Sequence, residues 1–291
     1  MMKITSNITL SGCCDLHTHS TYSDGSCTPT EIIEQAKALS LSAVALTDHN
    51  TLAGAAEFKA AAIECGVEAV VGVEISAEYN KKEIHVVGLF VTEKQYQPLN
   101  EYLENIQLKK DIASFELYKA LKAAGYDISY ECIASDGNKG SINRVHFANE
   151  LIRCGYISTI DEGLDGVLSE KRGFYKPAPR PDAFAVIELL SGLGVTPILA
   201  HPFLNLTYDE LRTFLPKAKV HGLAAIETDY STFTSEQTAA AHALAEEFGL
   251  MKSGGSDFHG ANKPNIALGI GLGELRVPVE YYTTLAARRS I

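Results

Sequence analysis

No stretch of this chain approaches the roughly 18 or more apolar residues that a membrane-spanning helix needs. The opening residues, Met1-Met2-Lys3-Ile4-Thr5-Ser6-Asn7, hold no apolar run of leader length. Together these absences point to a cytoplasmic protein with no membrane partner. Cysteine is sparse. The six lie at 13, 14, 27, 65, 132 and 154 without a C-x-x-C pair, and in a chain this long they read as reduced thiols, not a disulfide frame. Positive charge is also scarce: 25 Lys and Arg stand against 36 Asp and Glu, for a net charge of -11. A bare surface of that sign repels nucleic-acid backbones. Several bound divalent cations would reverse the sign locally, so an anionic substrate stays open. Internal repeats and low-complexity tracts are absent too.

What is present is ordinary globular composition, 46% hydrophobic and 21% charged. The 291 residues suffice for one large α/β domain or one domain with an insertion. Short apolar runs at 44–47, 67–73, 84–90, 198–200 and 223–226 read as buried strands. Helical patterns lie between them. Thr28-Pro29-Thr30-Glu31 has the cap, the proline and the glutamate of a capping box. Further helices are expected from about Thr51 to Gly66, from Tyr96 to Ala124, from Asp182 to near Gly192, and from Ser235 to Phe248. Such alternation implies a parallel sheet, open or closed into a barrel. Residues 126–181 break the rhythm, with one clear helical stretch at 145–153. This segment and the end of the preceding long helix read as an inserted small helical subdomain. The expected division is a barrel of 1–108 and 182–291 and an insertion of 109–181.

Histidine placement is the informative feature. His17 and His19, two apart on an extended segment, present both rings to one face. His49, His201 and His259 sit just after strand runs or in their loops, His85 lies within one, and Glu74 ends another. Taken singly, each histidine is as readily a structural hydrogen-bonding residue. Many imidazoles at strand ends with carboxylates nearby point instead to a metal site. His221 and His242 stand outside every motif and read as structural.

These residues fall in ordered motifs: Asp15-Leu16-His17-Thr18-His19-Ser20, Ser23-Asp24-Gly25, Thr47-Asp48-His49-Asn50-Thr51, Gly72-Val73-Glu74-Ile75-Ser76, Ala200-His201-Pro202 and Gly255-Ser256-Asp257-Phe258-His259. The set resembles the polymerase and histidinol phosphatase (PHP) family. The resemblance implies a distorted seven-stranded (β/α) barrel with two or three divalent ions. It implies that His17, His19, Glu74 and Asp257 hold one ion and that Glu74, His85 and His201 hold a second. Asp24, His49 and His259 would hold the third. Glu74, as the bridging ligand, and Asp257 are thereby also expected to be catalytic. Glu83 to Phe90 and Asn143-Arg144-Val145-His146-Phe147-Ala148 further resemble a subgroup with an inserted helical subdomain. That subgroup includes 3′,5′-nucleotide bisphosphate phosphatases, some of which trim RNA from its 5′ end. The usual Gly-Arg-Pro-His of the insertion reads Asn143-Arg144-Val145-His146 here, and the usual Gly-Lys-Pro reads Tyr175-Lys176-Pro177.

The chemistry is consistent with that resemblance. Phosphate-ester cleavage needs a nucleophile near neutral pH, and a divalent ion lowers the pKa of its water toward ~7. Imidazole and carboxylate ligands suit manganese, iron or zinc. Asp15 and Asp48 could orient imidazoles or simply hold loops. Arg144 and His146 lie near the start of an expected helix, a place that favours anions. They are candidate substrate-phosphate binders, with His146 a candidate proton donor; Lys176 and Arg172 are weaker candidates for a second phosphate. The expected activity is hydrolysis of a phosphate monoester, foremost the 3′-phosphate of a nucleoside 3′,5′-bisphosphate. Short single-stranded RNA is a compatible second substrate. A histidinol-phosphate-type or other small-molecule phosphatase is the alternative, and a non-catalytic metal-binding module is the alternative of another class.

Overall fold

The computed structural model describes residues 9–136 and 142–288. The opening residues read above for a leader lie outside the described residues. Among the described residues no helix is long and apolar enough to cross a membrane. The chain divides into two compact units, Met1–Asn100 with Arg180–Ile291, and Glu101–Pro179.

The first unit is built on eight strands: β1 (Cys13–Asp15), β2 (Ala43–Leu46), β3 (Ala69–Tyr79), β4 (Lys82–Leu89), β5 (Thr196–Leu199), β6 (Ala225–Tyr230), β7 (Met251–Gly255) and β8 (Val277–Pro278). They form one sheet in the order β7-β6-β5-β4-β3-β2-β1-β8. Beyond the ends of β1 and β7 the backbone pairs again. Leu16 N donates to Gly254 O at 3.1 Å, Asp257 N to His17 O at 2.9 Å, and His19 N to Phe258 O at 2.9 Å. These bonds draw β1 and β7 together into a nearly closed barrel. Gly255 permits the approach, because a Cβ there would stand 2.4 Å from the Cβ of His17.

The expected α/β barrel is present, and two features depart from seven parallel strands. Strand β4 runs antiparallel to both β3 and β5, because the two-residue turn Asn80-Lys81, both at positive φ, leaves no room for a crossover helix. The eighth strand is the short antiparallel β8 against β1.

Strand alternation splits the core. Ala43 and Ala45 of β2 face a cluster with Cys14, Val70, Val87, Ile198 and Ala225. Val44 and Leu46 face the opposite way, toward Ile32, Ile33, Ala36 and Phe58 of α1 (Pro29–Leu39) and α2 (Ala55–Cys65). The capping box read at Thr28 is present: Glu31 N donates to Thr28 Oγ1 at 3.1 Å and Thr28 N to Glu31 Oε2 at 2.7 Å. A cap of this kind contributes about 1 kcal/mol. Helix α2 starts at Ala55, four residues later than expected, after a turn closed by Ala55 N to Leu52 O.

Helix α3 (Glu93–Ala123) leads out of the first unit. In the second unit it is followed by α4 (Tyr130–Asp136), α5 (Arg144–Arg153) and α6 (Ile160–Asp165). Leu117, Leu121, Ile133, Phe147, Leu151 and Leu168 form that unit's core. The first unit continues with α7 (Ala183–Gly192), α8 (Tyr208–Val220), α9 (Ser235–Phe248) and α10 (Val279–Ala287). Leu285, Tyr281 and Tyr282 of α10 pack on the inner cluster, and Val279 N bonds Gly12 O just before β1. That end of the barrel is therefore filled, and the other end is left for polar residues.

Candidate metal centre

The polar end is where the strand-end residues meet. His17 and His19 follow β1, and His49 follows β2. Glu74 lies in β3 and His85 in β4. His201 follows β5, and Asp257 and His259 follow β7. Asp24 comes from the loop after His19. Gly25 seats that loop, because any Cβ there would lie 2.2 Å from His19 O. The register of the β3–β4 hairpin pairs Glu74 with Val87, which places His85 diagonally opposite Glu74 on the same face. His201 and Asp257 hold positive φ angles of 27° and 56° without being glycine. Such strain persists where the surroundings over-determine it, and functional sites are common places for it.

Glu74 is the centre of the arrangement. Its Oε1 lies 2.8 Å from His85 Nδ1 and 3.0 Å from His201 Nε2. Its Oε2 lies 3.0 Å from His49 Nδ1, 3.2 Å from His19 Nε2 and 3.3 Å from His17 Nε2. One carboxylate thus faces two sets of rings, one with each oxygen. Asp257 Oδ1 is 3.3 Å from His19 Nε2, and Asp24 Oδ1 is 3.2 Å from His259 Nε2. Four overlapping groups have ligand atoms close enough to share an ion: His19-Asp24-His49-His259, His17-His19-Asp257, His17-Glu74-His201 and His49-Glu74-His85. All nine residues singled out in the sequence as ligands are in this cluster. The donor set fits divalent cations. His19 Nδ1, His49 Nδ1 and Glu74 Oε2 are buried, and their close contacts lack the alignment of a hydrogen bond, a costly state for buried polar atoms unless a cation takes them.

The electrostatics carry the same message. Burial opposes charge on each group, yet the surrounding imidazoles hold the Glu74 and Asp257 carboxyls well below the usual range. Against the same burial, Asp257 and Glu74 push the His19 ring up to about 9, and Glu74 and Glu83 push His85 up to about 9. Burial drives His49 down to about 3, with His19 and His85 adding repulsion.

Several groups around the cluster escaped sequence reasoning. Glu227 of β6, buried, contacts both His17 and His201. Its signal was legible, since it directly follows the apolar run ending at Ile226, as Glu74 follows its own. Tyr230 and Lys263 donate to Asp257 Oδ2 at 2.6 and 2.7 Å. Glu83 accepts from Arg180 at 2.7 Å and faces His85 Nε2 at 3.3 Å. Asp15 and Asp48, by contrast, hold loops and not rings. Asp15 accepts from Ser256 N, Ser256 Oγ and Gly269 N; Asp48 accepts from Ser20 N, Ser20 Oγ and Ser23 Oγ.

The remaining candidates belong to the helical unit. Asn143 caps α5, and His146 Nδ1 accepts from Asn143 N at 2.9 Å. The guanidinium of Arg144 lies over the Tyr175 ring, 4.7 Å from its centroid. Phe174 and Tyr175 pack on that unit's core. Lys176 and Arg172 are exposed. His221 lies against the Phe184 ring and His242 is 3.0 Å from Asp229 Oδ2, both away from the cluster.

Comparison with known proteins agrees with this geometry. The family described as the PHP domain matches residues 15–153. A 5′-3′ exoribonuclease of Haemophilus influenzae is 33% identical, with 84% of this chain and 89% of that protein aligned. The chain belongs to the PHP domain family. A 3′,5′-nucleoside bisphosphate phosphatase of Chromobacterium violaceum is 30% identical over 84% of this chain and 86% of its own length. Among solved structures, a Bifidobacterium adolescentis protein described as a metal-dependent phosphoesterase superposes with a TM-score of 0.79. It is 26% identical and covers 97% of this chain and 98% of its own. This PHP protein is accordingly a metal-dependent phosphoesterase, and its His, Asp and Glu cluster is the metal-binding centre.

Proposed function

We propose that the chain hydrolyses the 3′-phosphate of a nucleoside 3′,5′-bisphosphate, and that short single-stranded RNA is a second substrate of the same centre. The observation that carries the choice of substrate is Arg144. Its guanidinium lies over the Tyr175 ring, 4.7 Å from the centroid, at the capped start of α5, a planar donor fork beside a helix N-terminus. A substrate with two phosphates has a use for such a contact, and a simple monoester does not. The names of the two relatives support the same choice. Lys176 and Arg172 are further phosphate contacts in this reading.

We infer two or three ions of manganese, iron or zinc. The two-sided contacts of Glu74 support its bridging role, with His17, His19, Asp24, His49, His85, His201, Asp257 and His259 as the other ligands. Bound ions would lower the pKa of a water and neutralise phosphoryl charge. The protein's own groups do the rest. Glu74 sets the spacing of the site, and Asp257, fixed by Tyr230 and Lys263, keeps one oxygen toward the rings. Cleavage breaks the ester P–O bond and needs a proton on the departing 3′-oxygen. The cap bond at His146 Nδ1 leaves the ring hydrogen on Nε2, and that nitrogen is the proposed donor. All six cysteines are free, which supports a reducing, cytoplasmic setting.

The test is Arg144→Ala, assayed on a nucleoside 3′,5′-bisphosphate and on p-nitrophenyl phosphate, with metal content measured alongside. Losing a charge-assisted contact costs on the order of 1.5–3 kcal/mol, roughly ten- to hundredfold. That loss in kcat/KM is expected on the bisphosphate and little on the monoester. Equal losses on both would move Arg144 to the scissile phosphate. No loss on either, with metals retained, would sink the reading.

A further inference from the structure

Glu227 reaches two cluster residues from a strand that contributes no ligand of its own. Its Oε1 is 2.8 Å from His17 Nδ1, and its Oε2 accepts the backbone N–H of His201 at 2.5 Å. Both side chains are buried, His17 completely. A carboxylate accepts only, so His17 must carry its hydrogen on Nδ1. Its Nε2 is then left to face Glu74 Oε2 and His19 Nε2, at 3.3 and 3.1 Å. The second bond holds the backbone of His201 at φ 27° and ψ 57°, the bend that brings His201 Nε2 to Glu74 Oε1. His17, Glu74 and His201 are one of the groups able to share an ion.

We propose that Glu227 is the positioning residue of this pocket: one carboxylate fixes the His17 ring as the Nδ1–H form and clamps the bent His201 backbone, so that both Nε2 atoms are presented to a divalent ion. The proposal rests on the metal-dependent reading of the cluster and assigns the group that organises one part of it. Glu227 itself is in none of the four groups able to share an ion.

Glu227→Gln separates this role from simple packing, since the amide has nearly the same shape. The His201 N–H cannot change its polarity and takes the amide oxygen. The amide NH2 then faces His17 Nδ1 and can only donate to it. That forces the hydrogen onto His17 Nε2 and blocks the ligand nitrogen. Losing such a supporting partner typically costs 10–100-fold in metal affinity.

The experiment is zinc titration of both proteins by chelator competition, read as affinity and stoichiometry, with 15N NMR of the histidine rings in the zinc-loaded wild type. Support would be a 10–100-fold weaker site or one ion fewer in Glu227→Gln, together with His17 bound through Nε2 and protonated at Nδ1 in the wild type. Unchanged affinity and stoichiometry in the variant would overturn the proposal, as would zinc on Nδ1 of His17. The NMR arm decides the matter even if the variant does not fold. If the wild type takes up no divalent ion, the functional reading fails and the proposal goes with it. If it does and the variant matches it, the proposal alone fails.

Discussion

Replacing Glu74 by Gln tests the centre most directly. The amide can keep one acceptor oxygen, so either the His85 and His201 side or the His17, His19 and His49 side meets an NH2 group in its place. An NH2 group cannot ligate a cation, and the carboxylate's charge is gone from both sides. At about 4 Å and an effective dielectric near 20, one unit charge is worth roughly 4 kcal/mol. That is on the order of a thousandfold in affinity even before the doubled charge of the ion is counted. The expected result is at least one ion fewer per chain by elemental analysis, and turnover of a phosphate monoester down by about a thousandfold or more. Folding should survive, because the rings that lose their carboxylate partner can shed their protons, and thermal melting of the metal-free proteins checks this. A variant with wild-type ion content and near wild-type turnover would refute the bridging role and the electrostatic argument behind it.

The purified protein should carry two or three divalent ions and lose them, with its activity, on chelation; full activity in a rigorously metal-free sample would contradict the metal-dependent reading. Metal uptake should release protons, because His19 and His85, raised to about 9, are charged at neutral pH without metal and must be neutral to ligate. Apparent affinity should therefore rise with pH up to about 9, by as much as about tenfold per unit for each ring, and calorimetry in buffers of different ionisation enthalpy reads the protons directly. The same two rings make the metal-free protein's stability pH-dependent. Their contribution is fully present below about 6.5, the unfolded value, and is lost as pH rises through about 9. A pH-independent affinity between 7 and 9 would show that these rings are not displaced by the ion.

Much of this protein was legible without coordinates. The capping box at Thr28, the glycine after Phe248 and the polar residues ending apolar runs are local signals, written within a few residues of each other, and they mark α1, α9 and cluster residues such as His49, Glu74 and His201. Asp24 and Asp257 end no apolar run and are marked by the ordered motifs that resemble the family. A capping box at Thr207 and Glu210 is equally local, whereas β7, Met-Lys-Ser-Gly-Gly, carries no apolar run to mark it. Other features are decided only when distant segments meet. The antiparallel course of β4 and the β1–β7 closure depend on which backbones pair. Asp15 and Asp48 turned to loops because Ser256, Gly269, Ser20 and Ser23 arrive there in the fold. The hydrogen on His17 is placed by Glu227, 210 residues away. Residue type makes a histidine a possible ligand. Which nitrogen it offers is set by a partner that only the tertiary structure supplies.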